Sequence, residues 1–287
     1  MNELVIKANA KINLSLDVIG KRPDGYHELE MVMCEIPLFD VVKVQKSDKI
    51  DIKCNLSYIP TDKRNIAYKA AEAFFQYTGI NGGANINIEK NIPVSAGLAG
   101  GSTDGAAVLK ALNSLYEASL TQEELEKIGD SVGKDIPFCI RGGVCLAKGT
   151  GEKLTSLLEL SDCFIVLVKP EKINVSTKDI FTRYDSEKSE LHPYTKGIVD
   201  AILKDDIKNM SRMMYNVLEN ITSGMHPVID DIKNKFISDG AEGAVMSGSG
   251  PSVFAVFLDK EKAEKSYQDF IKTYPQTYFL DFYKENV

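Results

Sequence analysis

A glycine-rich run, Pro-Val-Ser-Ala-Gly-Leu-Ala-Gly-Gly-Ser-Thr at residues 93–103, constrains the fold more than any other segment of the chain. A period-two strand pattern at residues 84–89 precedes it, and a helical pattern that begins at Ser102 or Thr103 follows it. Glycines at such a junction let backbone N–H groups approach an anion at the helix N-terminus, where the helix dipole favours negative charge. The alternative is a tight strand–helix turn, which is the better interpretation of a glycine loop found in isolation.

The spacing of the glycines separates this run, hereafter the glycine loop, from two common nucleotide motifs. It contains neither the G-x-x-x-x-G-K-[ST] of a P-loop nor the G-x-G-x-x-G of a dinucleotide site. We predict that the loop binds the triphosphate of ATP, and that two hydroxyl groups at its end are available to a phosphate or to Mg²⁺. The residues predicted to bind ATP here are Pro93, Val94, Ser95, Ala96, Gly97, Leu98, Ala99, Gly100, Gly101, Ser102 and Thr103, of which Ser102 and Thr103 carry the hydroxyls.

Net charge and cysteine count narrow the class of protein. The chain carries a net charge of −7 and an isoelectric point of about 5.2, which argues against a nucleic-acid partner. Its five cysteines are odd in number and widely spaced, so we expect reduced thiols, and its three histidines are too dispersed for a zinc cluster. The N-terminus has no signal-peptide pattern, and the longest apolar run, residues 164–168, is too short to span a bilayer. We therefore predict a cytoplasmic protein without a membrane partner.

The hydrophobic patterns predict an α+β fold. In the first half, strands are expected at residues 12–18, 30–36, 41–46, 49–54 and 84–89, and helices at residues 65–78, 102–116 and from residue 121. In the second half, strands are expected at residues 162–169, 243–247, 252–258 and 277–283, and helices at residues 195–203, 208–220, 227–238 and 261–273. The alternation at residues 12–18 predicts a half-buried strand. A boundary after the Gly-Thr-Gly turn divides the chain into expected domains 1–154 and 155–287.

Three further segments resemble one kinase superfamily, named for galactokinase and for homoserine, mevalonate and phosphomevalonate kinases (GHMP). The glycine loop is similar to its second motif, and V-M-S-G-S-G-P-S-V-F at residues 245–254 is similar to its third. The K-I-N-L and D-G-Y-H elements within residues 7–33, and V-G-K-D-I-P-F at residues 132–138, resemble one branch, whose kinases act on a cytidine-diphosphate-linked alcohol. The resemblance implies a two-domain GHMP kinase fold, with an N-terminal domain like ribosomal protein S5, a C-terminal ferredoxin-like α/β sandwich and an active site between them.

The resemblance also implies which residues carry the chemistry. Asp135 matches the catalytic carboxylate that accepts the proton of the substrate hydroxyl, and Lys11 is expected beside it. From the residues alone, Asp135 would be a turn aspartate and Lys11 a solvated strand lysine. Asn13 shares the strand face of Lys11 and is expected to help hold the substrate. Lys134 stands where relatives usually carry a small residue. Its charge could act on Asp135 or reach a phosphate, but we expect its side chain to point to solvent.

Substrate recognition follows from the same comparison of motifs. Tyr26 matches an aromatic residue that stacks on cytosine, His27 matches a residue that hydrogen-bonds the polar edge of that base, and Phe181 is expected to close its other side. Asn65 matches a position near the adenine, and it is also a good helix N-cap. The residues expected to shape the cleft opposite the glycine loop are Gly248, Ser249 and Gly250.

The expected reaction is transfer of the ATP γ-phosphoryl group, with Mg²⁺ as cofactor, to the 2-hydroxyl of cytidine-diphosphate-linked methylerythritol. This is a step of the non-mevalonate route to isoprenoid precursors. One alternative is a superfamily kinase for another alcohol, such as mevalonate or homoserine, for which Tyr26 and His27 would have no purpose. The other is a nucleotide-binding relative without catalysis, in which Lys11 and Asp135 would be unnecessary.

Overall fold

A computed structural model describes residues 2–282, which form ten helices and eleven strands. The first half contains β1 (Glu3–Lys21), β2 (His27–Ser47), β3 (Asp51–Cys54), α1 (Ile66–Thr78), β4 (Gly83–Glu89), α2 (Gly100–Leu115), α3 (Gln122–Val132), α4 (Ile136–Arg141), β5 (Val144–Gly149) and β6 (Lys153–Ser156). The second half contains β7 (Phe164–Val168), α5 (Thr177–Ser186), α6 (Thr195–Ile202), α7 (Ile207–Arg212), β8 (Tyr215–Asn216), α8 (Glu219–Met225), α9 (Val228–Ser238), β9 (Gly243–Met246), β10 (Val253–Phe257), α10 (Lys260–Ile271) and β11 (Thr277–Asp281). The predicted α+β class is confirmed.

The strands form two sheets. The first sheet has the order β3-β4-β2-β1-β8, and β5 and β6 extend it because β5 pairs with the first part of β2. The second sheet is antiparallel with the order β11-β7-β10-β9. One face of the first sheet packs against α1 to α4, and its other face meets the second sheet together with α6 and α7. Within residues 2–282, no helix combines the length and the apolar character needed to cross a membrane.

Strand β1 changes the direction of its side chains twice. Its pairing with β2 shifts register between Asn9 and Ala10, between Asn13 and Ser15 and between Val18 and Gly20, and its side chains change the core they enter at the first two of these places. An irregularity in strand pairing can turn the following side chains to the opposite face of a sheet, and bulges are common beside active sites. Residues 10, 12 and 14 therefore pack against the second sheet, whereas the neighbouring Lys11 and Asn13 face the helices. The prediction of a half-buried strand is wrong, because both faces are covered and Lys11 and Asn13 are buried.

Local signals placed several helix ends correctly. Asn65 caps α1 by accepting a hydrogen bond from the N–H of Ala67 at 2.9 Å, and Gly79 ends that helix in the left-handed conformation. Thr121 and Glu124 form the predicted capping box at the start of α3.

Other boundaries differ from the predictions. The strands predicted at residues 30–36 and 41–46 are one continuous β2, and α4, α5, β5 and β6 were not predicted. The helix predicted at residues 208–220 is wrong: β8 interrupts it, because Tyr215 and Asn216 pair in parallel with Ser15 and Leu16 of β1. The strand predicted at residues 277–283 ends at Asp281, and Tyr283 lies outside the described residues.

Candidate active site

A cavity of about 1030 Å³ is lined by residues from β1, the glycine loop, α5 and the loop between β9 and β10. Its volume lies at the upper end of the range for small-molecule sites. Of the residues predicted to form the site, the following line it: Lys11, Asn13, Tyr26, His27, Asn65, residues 93–102, Asp135, Phe181, Gly248 and Ser249. Segments that are distant in the sequence therefore meet at one site.

Two predicted site residues do not line the cavity. Thr103 is buried, and its hydroxyl donates to the carbonyl of Asn9 at 2.6 Å, so that it ties α2 to β1. The prediction that Thr103 offers its hydroxyl to a phosphate or to Mg²⁺ is therefore corrected. Gly250 instead forms the turn behind the cleft, where its N–H donates to the carbonyl of Ser247 at 2.9 Å. The hydroxyl of Ser102, by contrast, borders the cavity and forms no hydrogen bond with residues 2–282.

Several residues of the glycine loop have positive φ angles, a backbone conformation that side chains disfavour. Gly97 has φ +75°, and a Cβ at this position would lie 2.1 Å from the carbonyl oxygen of Ser247. Ser95 and Ala99 also have positive φ angles, and α2 begins directly after Ala99. Because the loop delivers the chain to the N-terminus of a sixteen-residue helix, its N–H groups and the helix dipole favour a bound anion.

Ser247 joins three segments of the site. Its hydroxyl donates to the carbonyl of Gly97 at 3.0 Å and accepts from the N–H of Asn13 at 3.3 Å. The carbonyls of Met246 and Gly248 on either side accept from the amide of Asn216, at 2.8 and 2.7 Å. The turn at residues 247–250 is thus fixed against both the glycine loop and β1.

Lys11 and Asp135 face the cavity from different elements. The ammonium of Lys11 donates to Oδ1 of Asn13 at 2.6 Å. Asp135 stands at the N-cap of α4 without a capping bond, and within residues 2–282 its carboxylate forms no hydrogen bond or ion pair. Both charges act on the nearby Cys139 thiol: burial and then Asp135 raise the pKa of Cys139, and Lys11 opposes them. A half-buried carboxylate without a partner is available to a ligand.

Aromatic residues line another part of the cavity. The rings of His27 and Phe181 stack with centroids 4.9 Å apart and planes 26° apart. The ring of Tyr26 is 54% exposed, and the ammonium of Lys134 lies 5.7 Å from its centroid. Lys134 also pairs with Asp130 at 2.8 Å and borders the cavity, and 37% of its side chain is exposed, so it lies at the edge between the cavity and solvent. The exposed face of Tyr26 and the stacked pair offer surfaces for a flat ring.

A buried ion cluster under the glycine loop was not predicted. Lys90 donates to Asp40, to Asp104 at 2.7 Å and to the carbonyl of Gly100 at 3.1 Å. Asp40 also accepts from the N–H groups of residues 91 and 92, at 2.6 and 2.8 Å. The second oxygen of Asp104, Oδ1, is buried without a partner among the described residues, and both Lys90 and Asp104 border the cavity. The cluster therefore connects the start of the glycine loop with the start of α2.

Charge balance in this cluster predicts a pH dependence of stability. Burial raises the pKa of Asp104 to about 7, because one lysine cannot neutralise two desolvated carboxylates. Between about pH 4 and 7 the folded chain therefore holds a proton that the unfolded chain has released, so the free energy of unfolding falls as pH rises, by up to about 4 kcal/mol. Urea titrations of an Asp104→Asn variant should show a flatter dependence across this window. The exposed control Asp200→Asn should keep the wild-type slope, and an unchanged slope in Asp104→Asn would contradict the assignment.

Phosphate-binding geometry beside an unpaired carboxylate suits phosphoryl transfer to an alcohol, and the class of protein is therefore a small-molecule kinase. Comparisons with known proteins agree. Residues 65–143 match the family described as GHMP kinases N terminal domain, and residues 198–276 match GHMP kinases C terminal.

Two curated relatives with high identity to this chain carry the same name. A 4-diphosphocytidyl-2-C-methyl-D-erythritol kinase of Clostridium novyi (strain NT) is 48% identical over 276 residues, which cover 96% of this chain and 98% of that protein. A protein of the same name from Clostridium botulinum (strain Alaska E43 / Type E3) is 50% identical over 270 residues, which cover 94% of this chain and 96% of that protein.

Solved structures have the same fold. A 4-(cytidine 5'-diphospho)-2C-methyl-D-erythritol kinase superposes with a TM-score of 0.80 at 28% identity, over 96% of this chain and 98% of the other. A homoserine kinase from Cytophaga hutchinsonii superposes with a TM-score of 0.79 at 21% identity, over 98% and 95%, which shows the shared fold alone. The chain belongs to the GHMP kinase family, in the branch that its curated relatives represent.

Proposed function

We propose that the chain transfers the γ-phosphoryl group of ATP to the 2-hydroxyl of 4-diphosphocytidyl-2-C-methyl-D-erythritol, a step of the non-mevalonate route to isoprenoid precursors. The observation that carries the proposal is the single cavity that joins the glycine loop, Asp135 and the ring pair of His27 and Phe181. A nucleotide phosphate, a reacting hydroxyl and a flat base each find suitable groups there. The names of relatives at 48% and 50% identity support this substrate over mevalonate or homoserine.

Each residue of the site has one role in the proposed reaction. Asp135 accepts the proton of the substrate hydroxyl as its oxygen bonds to the γ-phosphorus, and the bond to the β-phosphate oxygen breaks to release ADP. Lys11, held by Asn13, stabilises the negative charge that spreads over the transferred group. The N–H groups of the glycine loop hold the phosphates of ATP in line with the hydroxyl. Asn65, which borders the cavity while it caps α1, contacts the adenine.

The proposal includes a bound Mg²⁺ ion and a cytosolic location for the protein. Hard oxygen donors suit Mg²⁺, and the unpaired hydroxyl of Ser102 and carboxylate of Asp135 border the cavity together. These two groups would hold Mg²⁺, which would supply positive charge to neutralise the phosphates of ATP. The cysteines are free thiols, which supports a reducing compartment such as the cytosol.

Competition by cytidine nucleotides tests the substrate assignment. Cytidine 5'-diphosphate should compete with the alcohol substrate and not with ATP, and Tyr26→Ala should weaken this inhibition about tenfold, because base stacking is worth roughly 1–3 kcal/mol. Tyr58→Ala, at a 69% exposed tyrosine outside the cavity, is the matched control. Competition against ATP alone, or none at all, would favour a kinase for another alcohol.

A further inference from the structure

Asp185, near the C-terminal end of α5, contacts the histidine that borders the cavity. Its Oδ1 lies 2.8 Å from Nε2 of His27, and its Oδ2 accepts from Lys21 at 2.5 Å. All three residues line the cavity, yet Asp185 belongs to none of the motifs by which the sequence was compared with the family. The contact joins residues 158 positions apart in the chain.

The ring of His27 has a fixed orientation. Phe181 stacks on it, Asp185 bonds one edge, and only 10% of the side chain is exposed. The other ring nitrogen, Nδ1, has no hydrogen-bond partner among residues 2–282. The histidine therefore presents one unpaired nitrogen from a ring that cannot turn freely.

We propose that Asp185 determines base specificity by fixing the tautomer of His27, so that Nδ1 accepts a hydrogen bond from the 4-amino group of cytosine. This inference rests on the proposed cytidine substrate. An ionised carboxylate only accepts hydrogen bonds, so the nitrogen that faces Asp185 must carry the hydrogen. In the neutral imidazole the second nitrogen is then a bare acceptor.

The chemistry of the two pyrimidines explains the selection. Cytosine carries an amino donor at position 4, whereas uracil has a carbonyl acceptor at the same place. An Nδ1 without hydrogen accepts a hydrogen bond from the amino group of cytosine. It forms none with the carbonyl oxygen of uracil, because both atoms present a lone pair. Hydrogen bonds from Lys21 and His27 lower the pKa of Asp185, so it stays an acceptor at neutral pH. Asp185 is thus a positioning residue that acts through His27.

Calorimetry with cytidine and uridine 5'-monophosphate on the full chain tests the proposal. The wild type should bind the cytidine nucleotide at least about tenfold more tightly, the effect of one hydrogen bond. Asp185→Ala should lose most of this preference while the Kd for ATP stays within about twofold. Asp179→Ala, which removes another carboxylate from the same helix but lies outside the cavity, should keep the preference. A preference unchanged in Asp185→Ala overturns the inference.

Imidazole ¹⁵N spectra report the tautomer of His27 directly, which a purely structural role of Asp185 would not determine. With only three histidines in the chain, His27 is identified by its loss in His27→Gln. In the complex with the cytidine nucleotide it should carry hydrogen on Nε2 alone, and its Nδ1 signal should shift relative to the free chain. A hydrogen on Nδ1 overturns the inference. If the wild type binds neither pyrimidine nucleotide, the proposed function fails first, and this is distinguishable from a wild type that prefers cytidine without help from Asp185.

Discussion

Asp135→Asn is expected to lower kcat about 100- to 10,000-fold while the Kd for ATP stays within about twofold. The amide keeps the shape of the carboxylate but cannot accept the proton that the substrate hydroxyl must lose. ATP binding should be retained, because the glycine loop is anchored by Lys11, Ser247 and Lys90 and not by Asp135. Steady-state release of ADP, together with calorimetric titration of ATP, separates the two effects.

A matched control lies five residues away in the sequence. Asp130→Asn removes a carboxylate that pairs with Lys134 on the same wall of the fold but does not border the cavity. Its kcat should stay within a few-fold of the wild type. If Asp135→Asn turned over at a comparable rate, Asp135 would not be the base, and its unpaired state would need another explanation.

Lys90→Met is expected to destabilise the fold by about 3–5 kcal/mol and to weaken ATP binding with it. Removing one member of a buried ion cluster leaves the remaining charges uncompensated. Here the carboxylates of Asp40 and Asp104 and the carbonyl of Gly100 would all lose their cation. Since these groups fix both ends of the glycine loop, the loop should lose its anion-binding conformation. Urea unfolding at pH 7.5 measures the first effect, and titration with ATP measures the second.

Lys110→Met is the control for this variant. Lys110 is also largely buried and on α2, but among residues 2–282 its ammonium bonds only the carbonyl of Cys139 at 3.1 Å, and burial lowers its pKa. Its replacement by Met should cost no more than about 1 kcal/mol, because a single neutral acceptor is left. Equal losses in the two variants would mean that the cluster around Lys90 has no special role.

The parts of the fold that the sequence predicted are those with local causes. Asn65, Gly79 and Thr121 mark helix ends through bonds to residues at most four positions away. Period-two alternation located β4, and a continuous apolar run located β7. The glycine loop was recognisable because its backbone needs glycine at Gly97, where φ is positive and a Cβ would lie 2.1 Å from the carbonyl oxygen of Ser247. Comparison of motifs added Lys11 and Asp135, whose residue types alone would have indicated a solvated lysine and a turn aspartate.

The parts that were missed depend on contacts between distant segments. The two-residue strand β8 exists only because β1 supplies its partner, so its sequence carried a helical pattern instead. Lys90 has partners on two separate elements, Asp40 on β2 and Gly100 and Asp104 on α2, and no spacing in the sequence relates it to Asp40. Thr103 looked like a phosphate ligand until the fold brought the carbonyl of Asn9 to its hydroxyl. Asp185 was missed for the same reason, since His27 lies on a different element.

The most direct test of the central claim is the steady-state rate of ADP formation with ATP, Mg²⁺ and 4-diphosphocytidyl-2-C-methyl-D-erythritol, measured beside mevalonate and homoserine. We expect kcat/KM of about 10⁴ M⁻¹s⁻¹ or more for the cytidine substrate and at least about 100-fold less for the other two alcohols. Turnover of mevalonate or homoserine at an equal rate would contradict the account. Binding of ATP without turnover of the cytidine substrate would contradict it as well.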